Sequence, residues 1–117
     1  MLVDDEKDVL FFFKHLLEEE GFTVDAYTEP IKALTQYKQS IYQLVLIDIR
    51  MPIMNGFELA HEIKLKDKNV KICFITAFEG YYESLVESFP YLDFKCFIKK
   101  PISAKELVEK IRIILTG

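Results

Sequence analysis

Side chains able to do chemistry stand at four places along the chain, each directly after a short run of apolar residues. They are Asp4 with Asp5, Asp48, Thr76, and Lys99 with Lys100. Carboxylates forced together repel one another unless a cation neutralises them, and all-oxygen ligands of this kind suit Mg²⁺. A lysine and a hydroxyl beside them provide donors for an anion. Brought together, the set has what phosphoryl transfer to an aspartate requires: a cation site, an anion clamp and a carboxylate able to attack.

A parallel sheet would bring these places together. Strand-like and helix-like segments alternate five times along the chain, which is typical of an α/β fold with helices on both faces of the sheet. The runs at 44–47 and 70–75 are the most continuously apolar and are expected in the centre, whereas 22–27 and 94–98 alternate and are expected at the edges. With right-handed crossovers, this is consistent with a flavodoxin-like, doubly wound three-layer (βα)5 fold in strand order 2-1-3-4-5. In that fold the carboxyl ends of strands one, three, four and five meet at one edge of the sheet.

Helices are predicted from apolar spacing and from capping residues. The predicted buried stripe of the first helix consists of Val9, Phe12, Phe13, Leu16 and Leu17. Leu10 and Phe11 lie off that stripe and are expected to be partly exposed. Further helices are predicted from Pro30, from Asn55 to about Lys66, over 79–89, and from Ser103.

The overall composition narrows the class of protein. With 117 residues and 50% hydrophobic content, the chain is long enough for one globular domain with a real core. A net charge of -4 gives no reason to expect nucleic-acid binding. Without a run of about 18 apolar residues or a charged leader, we expect neither a membrane span nor a signal peptide. Cys73 and Cys96 lie in apolar strand-like runs and are expected to be buried thiols of a cytosolic protein.

Four motifs occur in a fixed order along the chain. They are Val3-Asp4-Asp5-Glu6, Asp48-Ile49-Arg50-Met51-Pro52-Ile53-Met54-Asn55-Gly56, Thr76-Ala77 and Lys100-Pro101. Together they resemble the response regulator receiver domains of two-component signalling, the CheY-like family, over nearly the whole chain. The resemblance implies one receiver domain spanning 1–117. It also implies a cytoplasmic phosphoacceptor that is not an enzyme beyond catalysing its own phosphorylation and dephosphorylation.

The same resemblance implies a phosphoacceptor and a metal site. Asp48 would attack the phosphohistidine of a sensor histidine kinase or of a histidine phosphotransfer protein. Asp5 and Asp48 would bind Mg²⁺, or Mn²⁺ in its place, through their carboxylates. Asp4 would act mainly through water, and the backbone carbonyl of Arg50 would complete the protein ligands.

Charge compensation and switching are likewise implied by the resemblance. Lys100, rather than Lys99, matches the lysine of the family because it directly precedes Pro101, and the Lys100–Pro101 bond would be cis. The Thr76 hydroxyl would donate to the phosphorylated aspartate, and Phe97 would move into the space that this threonine leaves. Because phenylalanine has no hydroxyl, packing alone would hold the inward state.

The segment 78–95 departs most from the family pattern. Residues 89–94 stand where a Gly-Ala pair commonly precedes the fifth strand, so the output surface is left open, as is homodimerisation, which is common in the family. Tyr81 and Tyr91 are candidates for an exposed aromatic patch that binds a partner. The output would pass to a separate effector protein or to a fused output domain, with no direct nucleic-acid or membrane binding by this domain.

Three other functions compete with this interpretation. A pseudo-receiver would act as a phosphorylation-independent interaction module, although every residue type of the active edge is present. A phosphatase of the haloacid-dehalogenase kind would need an acid two residues after the nucleophile, where this chain has Arg50. A flavodoxin-like cofactor binder would need phosphate donors in its first loop, where Asp4-Asp5-Glu6 would repel a phosphate.

Overall fold

A five-stranded parallel sheet forms the centre of the protein. In the computed structural model, which describes residues 1–77, 87 and 96–117, the strands are β1 Leu2–Val3, β2 Ala26–Tyr27, β3 Leu44–Asp48, β4 Lys71–Thr76 and β5 Phe97–Lys99. Their order is β2-β1-β3-β4-β5, and the neighbouring strands pair in parallel. The predicted α/β fold and its strand order are therefore confirmed. Apart from residue 87, the helix predicted over 79–89 lies outside the described residues, as do the patch at Tyr81 and Tyr91 and 94–95 of the last predicted strand.

Helices connect and follow these strands. In the described part of the chain they are α1 Lys7–Glu19, α2 Pro30–Gln36, α3 Gly56–Lys66 and α4 Ala104–Thr116. Pro30 occupies the first turn of α2, and Asn55 and Glu58 form a reciprocal capping box for α3 with bonds of 2.9 and 3.0 Å. Ser103 caps α4 by accepting from the Glu106 backbone N–H at 3.2 Å. Among these helices none is long and apolar enough to cross a bilayer.

Both faces of the sheet carry an apolar core. Val45 and Ile47 of β3 pack in the core that includes α2 and α3, and Leu46 packs in the core that includes α1 and α4. Each of the three side chains is at most 3% exposed, as predicted for a central strand buried on both faces. Burying a side chain of this size contributes about 1.5–3 kcal/mol. The two cores therefore hold the end of β3, and with it Asp48, in a defined place.

The buried face of α1 differs from the predicted one. Leu10, Phe13 and Leu17 are buried, and Leu10 is only 2% exposed, whereas Phe12 is 56% exposed. The predictions for Leu10 and Phe12 are therefore wrong. Residues 9–13 are apolar without a break, so several faces of the helix fit the pattern. Packing against the sheet and α4 selects among those faces.

Strand β2 is shorter than predicted. The alternating pattern predicts a strand over 22–27, but the residues that pair with β1 are Ala26 and Tyr27. Strand β1 consists of only Leu2 and Val3, so the paired register is short, and the Leu2 N–H donates to the Asp25 carbonyl just before β2 at 2.9 Å. The edge position predicted for this segment is confirmed.

A disulfide bond joins β4 to the residue before β5. Cys73 and Cys96 form this bond, and their Cα atoms are 4.8 Å apart, within the range of disulfides, so the prediction of two buried thiols without a disulfide is wrong. Their separation of 23 residues in sequence carries no information about sheet register. In the folded sheet Phe74 pairs with Phe97, and the residues that precede them become direct neighbours.

Candidate functional site

The carboxyl edge of the sheet brings together residues that the sequence singled out. Asp4 directly follows β1, Asp48 is the last residue of β3, and Thr76 is the last residue of β4. All three are at most 5% exposed. Lys100 directly follows β5, and its backbone N–H donates to the Thr76 carbonyl at 2.9 Å. The convergence expected from the topology is present in the structure.

The Lys100 ammonium lies close to two carboxylates. Its Nζ donates to Asp4 Oδ2 at 2.7 Å and is 4.0 Å from Asp48 Oδ1. The lysine side chain is 10% exposed, so little solvent screens these charges. Lys99 is exposed, which agrees with the choice of Lys100 as the lysine of the site. The Lys100–Pro101 peptide bond is cis, as expected.

Three carboxylates approach one another beside this lysine. Asp4, Glu6 and Asp48 each offer one oxygen, and these oxygens lie within 4.8 Å of one another. A turn brings Glu6 into the group, because its backbone N–H donates to Asp4 Oδ1 at 2.9 Å. Glu6 is not among the predicted metal ligands, whereas Asp5, which is among them, is half-buried in the same loop and is not part of this group. The available signal for Glu6 is Asp4, two residues earlier, because an aspartate side chain often accepts a hydrogen bond from the backbone N–H two residues on.

The surroundings of Asp48 raise the pKa of its carboxyl group. Burial raises the pKa of its carboxyl from 3.8 to about 7 against the opposing charge of Lys100, and the carboxylates of Asp4, Asp5 and Glu6 raise that pKa as well. A divalent cation in the cluster would favour the ionised form and so oppose the rise. The cluster offers carboxylate oxygens, and two of its three carboxylate groups are buried. This donor set fits a hard cation such as Mg²⁺.

The loop after β3 passes very close to the backbone of Asp48. The Gly56 N–H donates to the Ile49 carbonyl at 2.8 Å, and a Cβ on Gly56 would lie 2.9 Å from Ile49 Cα and 3.0 Å from the carbonyl carbon of Asp48. Only glycine fits this approach. In the sequence Gly56 stands out only as part of a motif, although glycine near a reactive residue is a signal of close backbone approach. Arg50, whose carbonyl was predicted as a metal ligand, lies in the same loop with its side chain exposed.

An aromatic cluster lies on β4, β5 and α3. The ring of Phe97 is 5.4 Å from that of Phe74 and 6.3 Å from that of Phe57, which it meets edge-on at 85°. Phe57 and Phe74 are fully buried, whereas Phe97 is half-buried. Pairs of this kind add about 0.5–1.5 kcal/mol beyond the burial of their area. The predicted switch residue therefore packs against the core without being enclosed by it.

Comparison with known protein families identifies the family of this chain. The family model for the response regulator receiver domain matches residues 1–112. The chain belongs to this family. The resemblance seen in the four motifs, including its CheY-like character, is therefore confirmed, and the receiver domain is a signalling domain of the two-component kind.

The receiver domain is similar in sequence to curated regulatory proteins and in fold to receiver domains of known structure. It is 36% identical over 115 residues to the transcriptional regulatory protein CpxR homolog of Haemophilus influenzae, covering 98% of this chain and 49% of that protein. The non-phosphorylated HemR receiver domain of Leptospira biflexa has a TM-score of 0.86 and 31% identity, covering 99% of this chain and 92% of that one. The response regulator TrrA of Thermotoga maritima, solved in complex with Mg²⁺-BeF, has a TM-score of 0.79 and 31% identity, covering 97% and 95%. The chain spans about half the length of the curated relatives it matches.

Proposed function

We propose that residues 1–117 form a receiver domain that accepts a phosphoryl group on Asp48 in a Mg²⁺-dependent reaction. The donor would be a phosphohistidine on a sensor histidine kinase or a histidine phosphotransfer protein, and the signal would pass to an effector protein or a fused output domain. The observation that carries the proposal is a buried carboxylate with a lysine ammonium 4.0 Å away, inside a cluster of three carboxylates. Similarity to TrrA, solved with Mg²⁺-BeF, supports it.

The donor set of the acidic cluster fits Mg²⁺. Its donors are carboxylate oxygens, and those of Asp4 and Asp48 are buried, where an unneutralised charge is costly. Asp5 and Asp48 would hold the ion directly, and Asp4 would hold it through water. The backbone carbonyl of Arg50 would complete the protein ligands, with Glu6 as a further carboxylate within reach. When bound, the ion supplies positive charge that stabilises the oxygens of the transferring phosphoryl group.

Transfer begins with the ionised carboxylate of Asp48. One of its oxygens forms a bond to phosphorus as the P–N bond of the donor breaks, and the electron pair of that bond stays with the histidine nitrogen. Burial raises the pKa of Asp48 to about 7 and Lys100 opposes that rise, so the lysine favours the form that attacks. The Lys100 ammonium, 4.0 Å from Asp48, would then donate to the oxygens of the new acyl phosphate.

The proposed switch uses the last residue of β4 and the first residue of β5. The Thr76 hydroxyl would donate to an oxygen of phosphorylated Asp48, which draws the threonine toward the site. Phe97, half-buried and 5.4 Å from the ring of Phe74, would then move into the space that Thr76 leaves. Aromatic packing alone would hold this inward state, because phenylalanine has no hydroxyl.

Incubation with acetyl phosphate tests the proposal. With Mg²⁺ present, we expect the intact mass to rise by one phosphoryl group and peptide mapping to find that group on Asp48. EDTA should prevent the rise and Mn²⁺ should restore it, since a divalent ion compensates the carboxylates of the cluster. Phosphorylation that needs no divalent ion, or that maps to another residue, would contradict the proposal.

Replacing Gly56 by alanine is expected to slow this phosphorylation and to destabilise the fold. The added Cβ would lie 2.9 Å from Ile49 Cα, so the backbone that carries Asp48 must shift. Overpacking of this kind lowers the free energy of unfolding by about 1–3 kcal/mol, and misplacing a reacting group by about 1 Å slows a reaction about 100-fold. Urea denaturation and the rate of labelling by acetyl phosphate measure the two effects.

Gly21→Ala is the matched control for this substitution. Gly21 has a φ of +95°, and a Cβ there would meet no atom within 4 Å, so alanine adds conformational strain without a clash. That strain costs about 1–2 kcal/mol. The control should therefore lose stability and keep its phosphorylation rate. An equal loss of rate in both variants would mean that stability, and not the position of Asp48, limits the reaction.

A further inference from the structure

The Cys73–Cys96 disulfide lies at the start of the pairing between β4 and β5. Strand β5 is at the edge of the sheet and pairs with β4 through three residues. Directly before that pairing, the Cys96 carbonyl accepts a hydrogen bond from the Phe74 N–H at 3.0 Å. The disulfide joins the two strands at this same position. It adds a covalent link to a short edge strand that few hydrogen bonds hold. The far ends of these two strands lead to Thr76 and Lys100 of the phosphoacceptor site.

The two cysteine residues differ in their exposure to solvent. Cys73 is 0% exposed in the core that includes α1 and α4, whereas Cys96 is half-buried. Cys96 also lines a surface groove together with Lys71 and Ile114. Cys96 is therefore the more accessible of the two cysteines for a small thiol or disulfide from solution, and Cys73 is shielded.

We propose that Cys73 and Cys96 form a reversible thiol–disulfide site that anchors β5 to β4. Exchange with glutathione cycles this site between its oxidised and reduced forms. In oxidation the Cys96 thiolate attacks glutathione disulfide, forms a mixed disulfide and releases one glutathione thiolate. The Cys73 thiolate then attacks the Cys96 sulfur and releases the second glutathione. The two protein thiols lose two electrons and two protons, and the glutathione disulfide takes them up as two thiols. Reduction by glutathione is the reverse of these steps.

Anchoring β5 affects the phosphoacceptor site, and this part rests on the proposed function. Lys100 directly follows β5, and its Nζ is 4.0 Å from Asp48 in the disulfide-bonded form. In the reduced form, hydrogen bonds and the packing of Phe97 and Ile98 hold β5 on β4 without a covalent link, so the strand opens more often and Lys100 is positioned less well. The reduced protein is expected to be phosphorylated about fivefold more slowly than the oxidised protein.

Trapping of the mixed disulfide tests the exchange itself. Folded Cys73→Ala protein in glutathione disulfide should acquire one glutathione per chain, because Cys96 is accessible and has lost its partner. Folded Cys96→Ala protein should acquire none, because Cys73 is fully buried. Reduced wild-type protein in the same buffer should lose the mass of two hydrogens and keep no adduct. An adduct on Cys73, or wild-type protein that stays reduced, would overturn the proposed site.

Amide hydrogen exchange tests the anchoring without using phosphorylation. The amides of β5 should exchange at least about fivefold faster in reduced than in oxidised wild-type protein, and the Cys73→Ala, Cys96→Ala double variant should match the reduced protein in either redox buffer. Equal exchange in the two redox forms would overturn the anchoring. Unequal exchange with equal phosphorylation rates would overturn the effect on Lys100. Failure of both forms to be phosphorylated would refute the proposed function, and hydrogen exchange would still decide the anchoring.

Discussion

The Asp48→Asn variant is expected to acquire no phosphoryl group from acetyl phosphate in the presence of Mg²⁺. An amide oxygen lacks the negative charge of a carboxylate oxygen, so it does not attack phosphorus. Intact mass and mobility in phosphate-affinity electrophoresis measure the result. Asp25→Asn makes the same change just before β2, where the carboxylate accepts from Tyr42 at 2.6 Å, and it should be phosphorylated like the wild type. A phosphorylated Asp48→Asn protein would contradict the assignment of the phosphoacceptor.

The same variant is expected to be more stable than the wild type at neutral pH when no divalent ion is present. Burial raises the pKa of Asp48 from 3.8 to about 7, so the native state holds a proton that the unfolded chain releases across this range. The contribution of Asp48 to the free energy of unfolding is therefore fully present below pH 3.8 and is lost as the pH rises to about 7. Asparagine carries no such charge, so the variant should lack this fall. Urea denaturation in EDTA at both ends of the range measures it, and an equal fall in both proteins would assign it to other groups.

Lys100→Met is expected to reduce the phosphorylation rate about 100-fold or more. The Lys100 Nζ is 2.7 Å from Asp4 and 4.0 Å from Asp48, and its side chain is 10% exposed, so solvent does not replace its charge. Removing one donor from a site that stabilises developing negative charge commonly costs about 10²–10³ in rate. The initial rate of labelling by acetyl phosphate at saturating Mg²⁺ measures the loss.

The loss of Lys100 also leaves buried carboxylates without their partner. Breaking a buried ion pair costs about 3–5 kcal/mol, so Lys100→Met should unfold at lower urea in EDTA. Mg²⁺ should restore part of the stability, because it binds the assembled cluster of the native state. Lys99→Met is the matched control, since Lys99 is adjacent in the chain and exposed, and it should keep its phosphorylation rate. Equal losses in the two variants would assign the effect to the general charge of the segment.

The fold and the convergence of Asp48, Thr76 and Lys100 could be predicted from sequence because both follow from topology. Alternating strands and helices require a parallel sheet, and the strands of a parallel sheet end at one edge. Each of the three residues follows or ends an apolar run, so its place at that edge needs no knowledge of side-chain contacts. The observed strand order is the one with which the alternating pattern is consistent.

Features that the sequence did not reveal depend on register or on a local turn. Cys73 and Cys96 become neighbours through the register of β4 with β5, and no property of either residue encodes that register. Glu6 joins the acidic group because the backbone turns onto the Asp4 side chain. Phe12 lies in an unbroken apolar run, so periodicity could not assign it to a face. Strand register decides the first case, a local turn the second and tertiary packing the third.

The chemistry proposed for this domain uses residues at strand ends and in the loops that follow them, whereas side chains such as Phe12, 56% exposed on α1, point outward. Substitution of outward side chains would leave the residues of the proposed reaction at Asp48 in place. After gene duplication, paralogues could therefore acquire different partners while they keep one mechanism. Insulation between parallel signalling pathways in one cell would then require change only on the outside of the helices.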